Sequence, residues 1–167
     1  MDTMDRMDRK ELDKILQNHK RWLQRSDGWS AEDRAHLTAE DLHGMDLRGV
    51  ELPRANLFAA DLRGANLQDA ILYEANLRGA DLRGANLRGA ILWGAVLWEA
   101  DLRHADFSGA DLREAVLLCA DLQDANLFGA DLQEADLQYA DLGNANLQDT
   151  NLSGVKLWGS VMNGAKF

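Results

Sequence analysis

Cysteine and proline are nearly missing: Cys119 and Pro53 are the only ones in 167 residues. One thiol excludes an intramolecular disulfide, so the fold is held without covalent cross-links and an oxidising compartment is not implied. No uncharged apolar run approaches the ~20 residues that span a bilayer. Positive charge is also scarce. Eighteen Lys and Arg stand against 28 Asp and Glu, a formal net charge of −10, which disfavours a role in gripping phosphate backbones. The first 28 residues mix seven Lys/Arg with six Asp/Glu and hold no apolar core segment, so they do not read as a signal peptide. One soluble, cytoplasmic domain is expected.

What the chain has in excess is Leu, Ala, Asp and Gly in a five-residue period. Every fifth residue from Leu37 to Leu157 is leucine, broken only by Phe107, and the series ends in Met162 and Phe167. Two residues before each lies an alanine from Ala55 through Ala145, and the residue between is usually Asp or Asn. No insertion disturbs the register over 27 pentads. An α-helix cannot use this pattern, because a step of five turns each leucine by ~140° and scatters them around the cylinder. A plain strand fails as well, because an odd step sends successive leucines to opposite faces. The pattern works if Ala and Leu point inward and the other three residues turn a corner. Stacked coils ~4.8 Å apart then bury a continuous leucine core.

Coil size follows from a second period. At intervals of twenty the Asp/Asn position reads Asp41, Asp61, Asp81, Asp101, Asp121 and Asp141. Ile71 with Ile91, Val96 with Val116, and Arg63 with Arg83 and Arg103 recur at the same interval. Four pentads per coil are therefore expected, in a rod of roughly 30 Å. The units Ala60-Asp61-Leu62-Arg63-Gly64 and Ala85-Asn86-Leu87-Arg88-Gly89 resemble the A-(D/N)-L-x-x motif of the pentapeptide-repeat family, over residues 35 to 167. The resemblance implies an all-β fold, a right-handed quadrilateral parallel β-helix solenoid. It leaves function open, because the family is functionally diverse.

Solenoid ends need cover. Leu12, Ile15, Leu16, Trp22 and Leu23 fall at helical spacing, with a capping box at Asp8 and Glu11 and a stop at Ser26-Asp27-Gly28. The spacing predicts a short α-helical cap over 8–25, within an N-terminal segment 1–28, followed by a linker 29–36 and the β-helix 37–167. Its mixed charges argue against a membrane-surface helix. At the other end the repeats coarsen, and Leu157, Trp158, Val161, Met162 and Phe167 crowd together. Such an apolar end predicts a homodimer through the C-terminal coils, the alternative being that Trp158 and Phe167 fold over and close it. The resemblance points the same way, since members that act on DNA gyrase look like C-terminal dimers.

Three surface features stand out. Phe58, Ile71, Tyr73, Ile91, Trp93, Val96, Trp98, Val116 and Leu118 occupy outward positions on two neighbouring faces, with Ile or Val replacing the usual Asp/Asn at 71, 91, 96 and 116. They predict either a protein-binding patch or a surface covered by the N-terminal segment. The Asp column from 41 to 141 is expected to pair with Arg63, Arg83 and Arg103 as an ion-pair ladder, or to cap turn amides. A column does not supply the six to eight converging oxygens of a calcium site. Finally, no Lys or Arg occurs between Arg113 and Lys156, where Glu114, Asp121, Asp124, Asp131, Glu134, Asp136, Asp141 and Asp149 lie. That acidic stretch either keeps the rod soluble or, as the resemblance implies, mimics DNA toward a type II topoisomerase. The conspicuous loops of some gyrase-protecting members are absent.

Catalysis finds no foothold. His19, His36, His43 and His104 share no metal-ligand spacing, Cys119 has no neighbouring histidine in its coil, and no phosphate-binding loop or nucleophile motif occurs. A filled Leu/Ala cylinder leaves no pocket. No catalytic, cofactor-binding or metal-ligating residue is assigned, and no cofactor, direct nucleic-acid contact or membrane partner is expected. The expected function is a non-enzymatic scaffold for a protein partner. The alternatives are a DNA mimic that binds gyrase or topoisomerase IV in quinolone or toxin resistance, and a purely structural rod.

Overall fold

The computed structural model describes residues 7–24 and 34–167. From His36 onward the backbone is a coil with four pentads to each turn. Twenty-three parallel bridges join residues twenty apart, from His36 with Asn56 to Asn146 with Lys166. Each bridge is a single residue, the one before the inward leucine, so the expected sheets reduce to four columns of isolated bridges. Among the described residues no extended strand forms. The reason is the length of the unit: after the bridge residue and leucine the chain must turn.

The turn closes with the alanine amide on the preceding leucine carbonyl, as from Ala65 to Leu62 at 3.0 Å. The residue before each alanine position has a positive φ in every unit from Ala39 to Gly164. Fourteen of these 26 residues are not glycine, although L-residues disfavour that region. The coil imposes it.

Three further amides of each interior unit bond to neighbouring turns. Leu62 donates to the Asp81 carbonyl at 2.7 Å, Gly64 to Arg83 at 2.9 Å, and Asp81 to Ala60 at 3.0 Å. The amide that remains belongs to the residue after leucine. All eighteen Asp and Asn at the bridge position between 41 and 151 accept from that amide through their side-chain oxygen, at 2.9 to 3.4 Å. Asx residues therefore complete the hydrogen bonding of the turn.

Four faces result, each named for its bridge column: face 1 from Asp41 to Val161, face 2 from Asp46 to Lys166, face 3 from Glu51 to Asn151, and face 4 from His36 to Lys156. The inward leucines from Leu37 to Leu147 and alanines from Ala55 to Ala145 are buried, with Phe107 among them. Alanine suits the corner because rows from four faces converge on a narrow axis.

The helix α1 (Arg9–Leu23) covers the first turn. Its N-cap Asp8 accepts from the Lys10 amide at 3.1 Å, so the cap acts on the second helical residue and not through a box with Glu11. Met7 and Leu12 are buried, and Ile15 and Leu16 pack on the core. The Met7 amide donates to the Asp41 carbonyl at 3.1 Å, and the Arg9 guanidinium to the Asp46 carbonyl at 2.7 Å. Two edge carbonyls without a preceding rung are thereby satisfied. His19, fully buried and stacked on Trp22, accepts the Ala35 amide on Nδ1 at 3.0 Å. Burial holds its pKa below the ordinary 6.5, with the Pro53 backbone opposing and Arg34 reinforcing the shift. The linker expected over 29–36 ends early: Ala35 is buried and His36 already makes the first bridge. The repeat resemblance from residue 35 already takes in this unit, so the linker bound, and not the repeat, is set too late. The stop at Ser26-Asp27-Gly28 lies outside the described residues. Among the described residues no helix is long and apolar enough to cross a membrane.

Candidate interaction surfaces

Face 1 carries a continuous ladder. Each of Arg63, Arg83 and Arg103 holds the Asp two residues earlier in its own rung through paired Nε and Nη2 contacts. Each also reaches the Asp of the next rung, at 3.7 Å to Asp81, 3.5 Å to Asp101 and 3.5 Å to Asp121. The chain of contacts continues from the Gln123 amide to Asp141 at 2.7 Å. The same Asp residues cap their turns, so pairing and capping coexist. The Arg63 and Arg103 guanidinium groups hold the carboxyls of Asp61 and Asp101 below the usual carboxylate range. Arg113 does the same for Asp111 on face 3.

At the start of the ladder an imidazole stands where the other rungs have arginine. His43 Nδ1 lies 2.6 Å from Asp41, and stacking brings Asp61 close enough that the three donor atoms fall within 4.8 Å of one another. Sequence spacing of the histidines alone missed this group. The twenty-residue period, applied to His43, would have found it. Asp61 already carries the Arg63 guanidinium, which makes the trio the first step of the ladder.

The apolar patch is contiguous across faces 3 and 4. Ile71 bridges Ile91 on face 3, and Val96 bridges Val116 on face 4. Tyr73 and Trp93 follow in the turns of the first pair, and Trp98 and Leu118 in those of the second. Phe58, Ile91 and Trp93 are 42%, 39% and 36% exposed, and the other six are half-buried. The Arg78 guanidinium sits 3.9 Å from the Trp98 ring centroid and 3.2 Å from Glu99. Met7, Arg9 and His19 bond to Asp41, Asp46 and Ala35 at the first rung, and Phe58, Ile91 and Trp93 of the patch stay exposed to solvent. Residues 25–33, the other candidate cover, lie outside the described residues.

Ile and Val at 71, 91, 96 and 116 cannot cap, and the amides of Tyr73, Trp93, Trp98 and Leu118 have no Asx acceptor. These four turns therefore surrender a hydrogen bond that every Asp/Asn turn makes. The patch was legible in the sequence; its extension along face 4 by Tyr139, packed edge-on at 4.8 Å against Trp158, was not. Tyr139 sits in the positive-φ position, where glycine is the common residue. Phe128 is a further exposed aromatic, isolated on face 2.

The eight acidic residues from Glu114 to Asp149 lie in successive rungs with none buried, and they are divided among all four faces. Some are partly neutralised: Asp121 by Arg103, Asp131 by Arg113 at 3.9 Å and Asp136 by Lys156 at 3.8 Å. The result is a negative band around the rod.

In the last rung Leu152, Val155, Leu157 and Met162 are half-buried, while Trp158 and Phe167 are 69% and 66% exposed. Trp158 stands against Tyr139 on the outside and does not close the end. Cys119 is exposed in a positive-φ corner.

Comparison with known proteins fits this geometry. No curated protein matches the chain. Among solved structures, HetL, a pentapeptide repeat protein involved in heterocyst differentiation regulation from the cyanobacterium Nostoc sp. strain PCC 7120, is 35% identical at a TM-score of 0.53, over 78% of this chain and 71% of its own. Alr5209, a pentapeptide repeat protein from Nostoc PCC 7120, is 41% identical at a TM-score of 0.52, over 63% of this chain and 85% of its own. The family described as Pentapeptide repeats matches in eight copies over residues 55–94, 80–117, 95–133 and 130–167. The coil geometry itself reaches back to His36, and the chain belongs to the pentapeptide-repeat family.

Proposed function

We propose that this chain is a non-catalytic scaffold, a right-handed four-sided β-helix whose side docks a partner protein in the cytoplasm. The observation that carries the reading is the Ile/Val block at 71, 91, 96 and 116. It gives up turn caps to expose an apolar, aromatic surface at mid-rod, where no end has to be covered. Isolated apolar residues on a surface mean little, but a contiguous aromatic patch marks an interface. A photoreactive phenylalanine analogue placed at Trp93, and separately at Arg88 on face 2, tests this in the native cell. One reproducible adduct at 93 that disappears with Val96→Asn, with none at 88, is the expected result. Equal labelling at both positions defeats it.

A second reading rests on the acidic band. Eight surface carboxylates without an intervening Lys or Arg present a negative girdle, and in this reading the rod occupies the DNA site of gyrase or topoisomerase IV. Titration into a supercoiling assay decides: inhibition or quinolone protection supports it, and no effect across the titration removes it. The exposed apolar residues of the last rung support a homodimer through the C-terminal coils, with partner Leu, Met and Phe side chains completing the core. Sedimentation at micromolar concentration showing only monomer would end that proposal.

A further inference from the structure

We infer that the segment docking on the patch is an extended peptide with two apolar anchors followed by Lys or Arg, lying with its basic part toward the C-terminal rungs. The inference rests on the docking reading above and adds the partner's chemistry and direction.

It comes from the uneven margin of the patch. On the N-terminal side most charges are paired: Arg54 holds Glu74 at 2.6 Å and Arg78 holds Glu99 at 3.2 Å, while Glu51, exposed one rung below Ile71, makes no ion pair among the described residues. On the C-terminal side the next two rungs present Asp111, Glu114, Asp131, Glu134 and Asp136. Against these five stand Arg113, committed to Asp111 at 2.6 Å, and Lys156, 3.8 Å from Asp136. Glu114 and Glu134 are exposed, stack one rung apart in the corner between the two patch faces, and have no ion-pair partner among the described residues. An apolar surface whose negative border is heavier on its C-terminal side complements apolar anchors with cations on that side. The same border repels nucleic-acid phosphates and anionic lipid surfaces.

Distance sets the spacing. From the Ile91–Trp93–Val96 centre to Glu134 is two rungs, ~10 Å at the parallel spacing. An extended chain covers that in about three residues. The preferred ligand is therefore an aromatic or aliphatic pair with Lys or Arg three to four positions further on.

The probe is a phage-displayed library of random twelve-residue peptides, selected on the intact chain, with affinities of the enriched peptides read by fluorescence anisotropy. The expected result is enrichment of that pattern. Ile91→Asn/Val96→Asn should abolish binding, and Glu114→Lys/Glu134→Lys should weaken it about tenfold or more and make selection on that variant favour acidic residues. Both glutamates are exposed and already hold positive φ, so their replacement leaves the core untouched; unchanged far-UV spectra check this. Apolar peptides without basic bias, displaced by Ile91→Asn/Val96→Asn, overturn this inference and leave the docking reading standing. Peptides insensitive to both variants, or no enrichment, overturn both.

Discussion

Returning the patch to the repeat pattern should separate fold from binding. In Ile91→Asn/Val96→Asn each new side chain regains the acceptor that Asn76 and Asn86 supply to the Arg78 and Arg88 amides at 3.2 Å. Such a bond contributes ~1 kcal/mol. At position 96 the new amide also stacks over Asn76, as Asn76 does on Asn56 at 3.1 Å. Against this stands lost apolar burial. Ile91 is 39% exposed, so roughly three-fifths of the ~1.5–3 kcal/mol for a buried aliphatic is forfeited, or ~1–2 kcal/mol, and half-buried Val96 forfeits about as much. The two regained caps offset about half or more of this, and the double variant should lose no more than ~2 kcal/mol, a shift in melting midpoint of at most ~8 °C. Partner capture should vanish. Thermal melts followed by circular dichroism, run beside the cross-linking assay, read both. A loss above ~4 kcal/mol would show that these side chains brace the rungs and would refute the argument that they are spared for an interface.

Other perturbations follow from the same geometry. Leu92→Ala, in a fully buried row, should cost ~3–5 kcal/mol, and Leu152→Ala, half-buried in the last rung, clearly less; equal losses in urea titrations would contradict the end exposure. On face 1, Arg83→Ala removes an exposed pair and should cost no more than ~1 kcal/mol, whereas Asp81→Ala also strips the Arg83 amide of its cap and should cost more. Asp61, Asp101 and Asp111 have depressed folded pKa values, so their contribution is full above the unfolded value of 3.8 and disappears as pH falls through the folded values. Acid unfolding of the coil should therefore begin below about pH 4, and a Arg63→Gln/Arg103→Gln variant should unfold at higher pH. His19 also has a depressed folded pKa. Its neutral form stabilises the docked helix above pH 6.5 and that stability is lost on acidification through the folded value; hydrogen-exchange protection factors in α1, corrected for the intrinsic rate at each pH, should fall between pH 7 and 5 while those of the coil hold, and His19→Gln should flatten that response.

The sequence discloses this fold because both periods report on physical constraints. The five-residue step fixes which side chains are buried, and Leu62 and Leu82 must stack if twenty residues make a turn. The Asp ladder on face 1 was equally readable, since Arg63, Arg83 and Arg103 repeat with it. Less visible was anything that depends on the turn amide. Whether Asp81 pairs with arginine or caps the backbone is undecidable from its spacing; in the fold it does both. The first unit was read both as repeat and as linker because His36 stands at the bridge position, and Tyr139 was missed because aromatic residues at positive φ follow no pattern. The reach of α1 over the end, and not along the side, depended on contacts to the Asp41 and Asp46 carbonyls, which no local pattern encodes.

The turn amide also explains why departures from Asp and Asn carry information. A pentad needs its leucine and alanine for the core, and its Asx for the one amide left without a backbone partner. Outward side chains beyond those are free to vary without disturbing the coil. Departures at His36 and Glu51 fall in the first rung, which α1 covers, and those at Lys156, Val161 and Lys166 fall in the last, where the core itself is open. The remaining four, at 71, 91, 96 and 116, lie in interior rungs with a complete leucine core beneath them. Loosened packing cannot account for them. They stack in two bridged pairs on adjacent faces, and each is followed two residues later by Tyr, Trp or Leu. Four independent losses of a cap would scatter over four faces; a single requirement acting on one surface would place them together, as they are found.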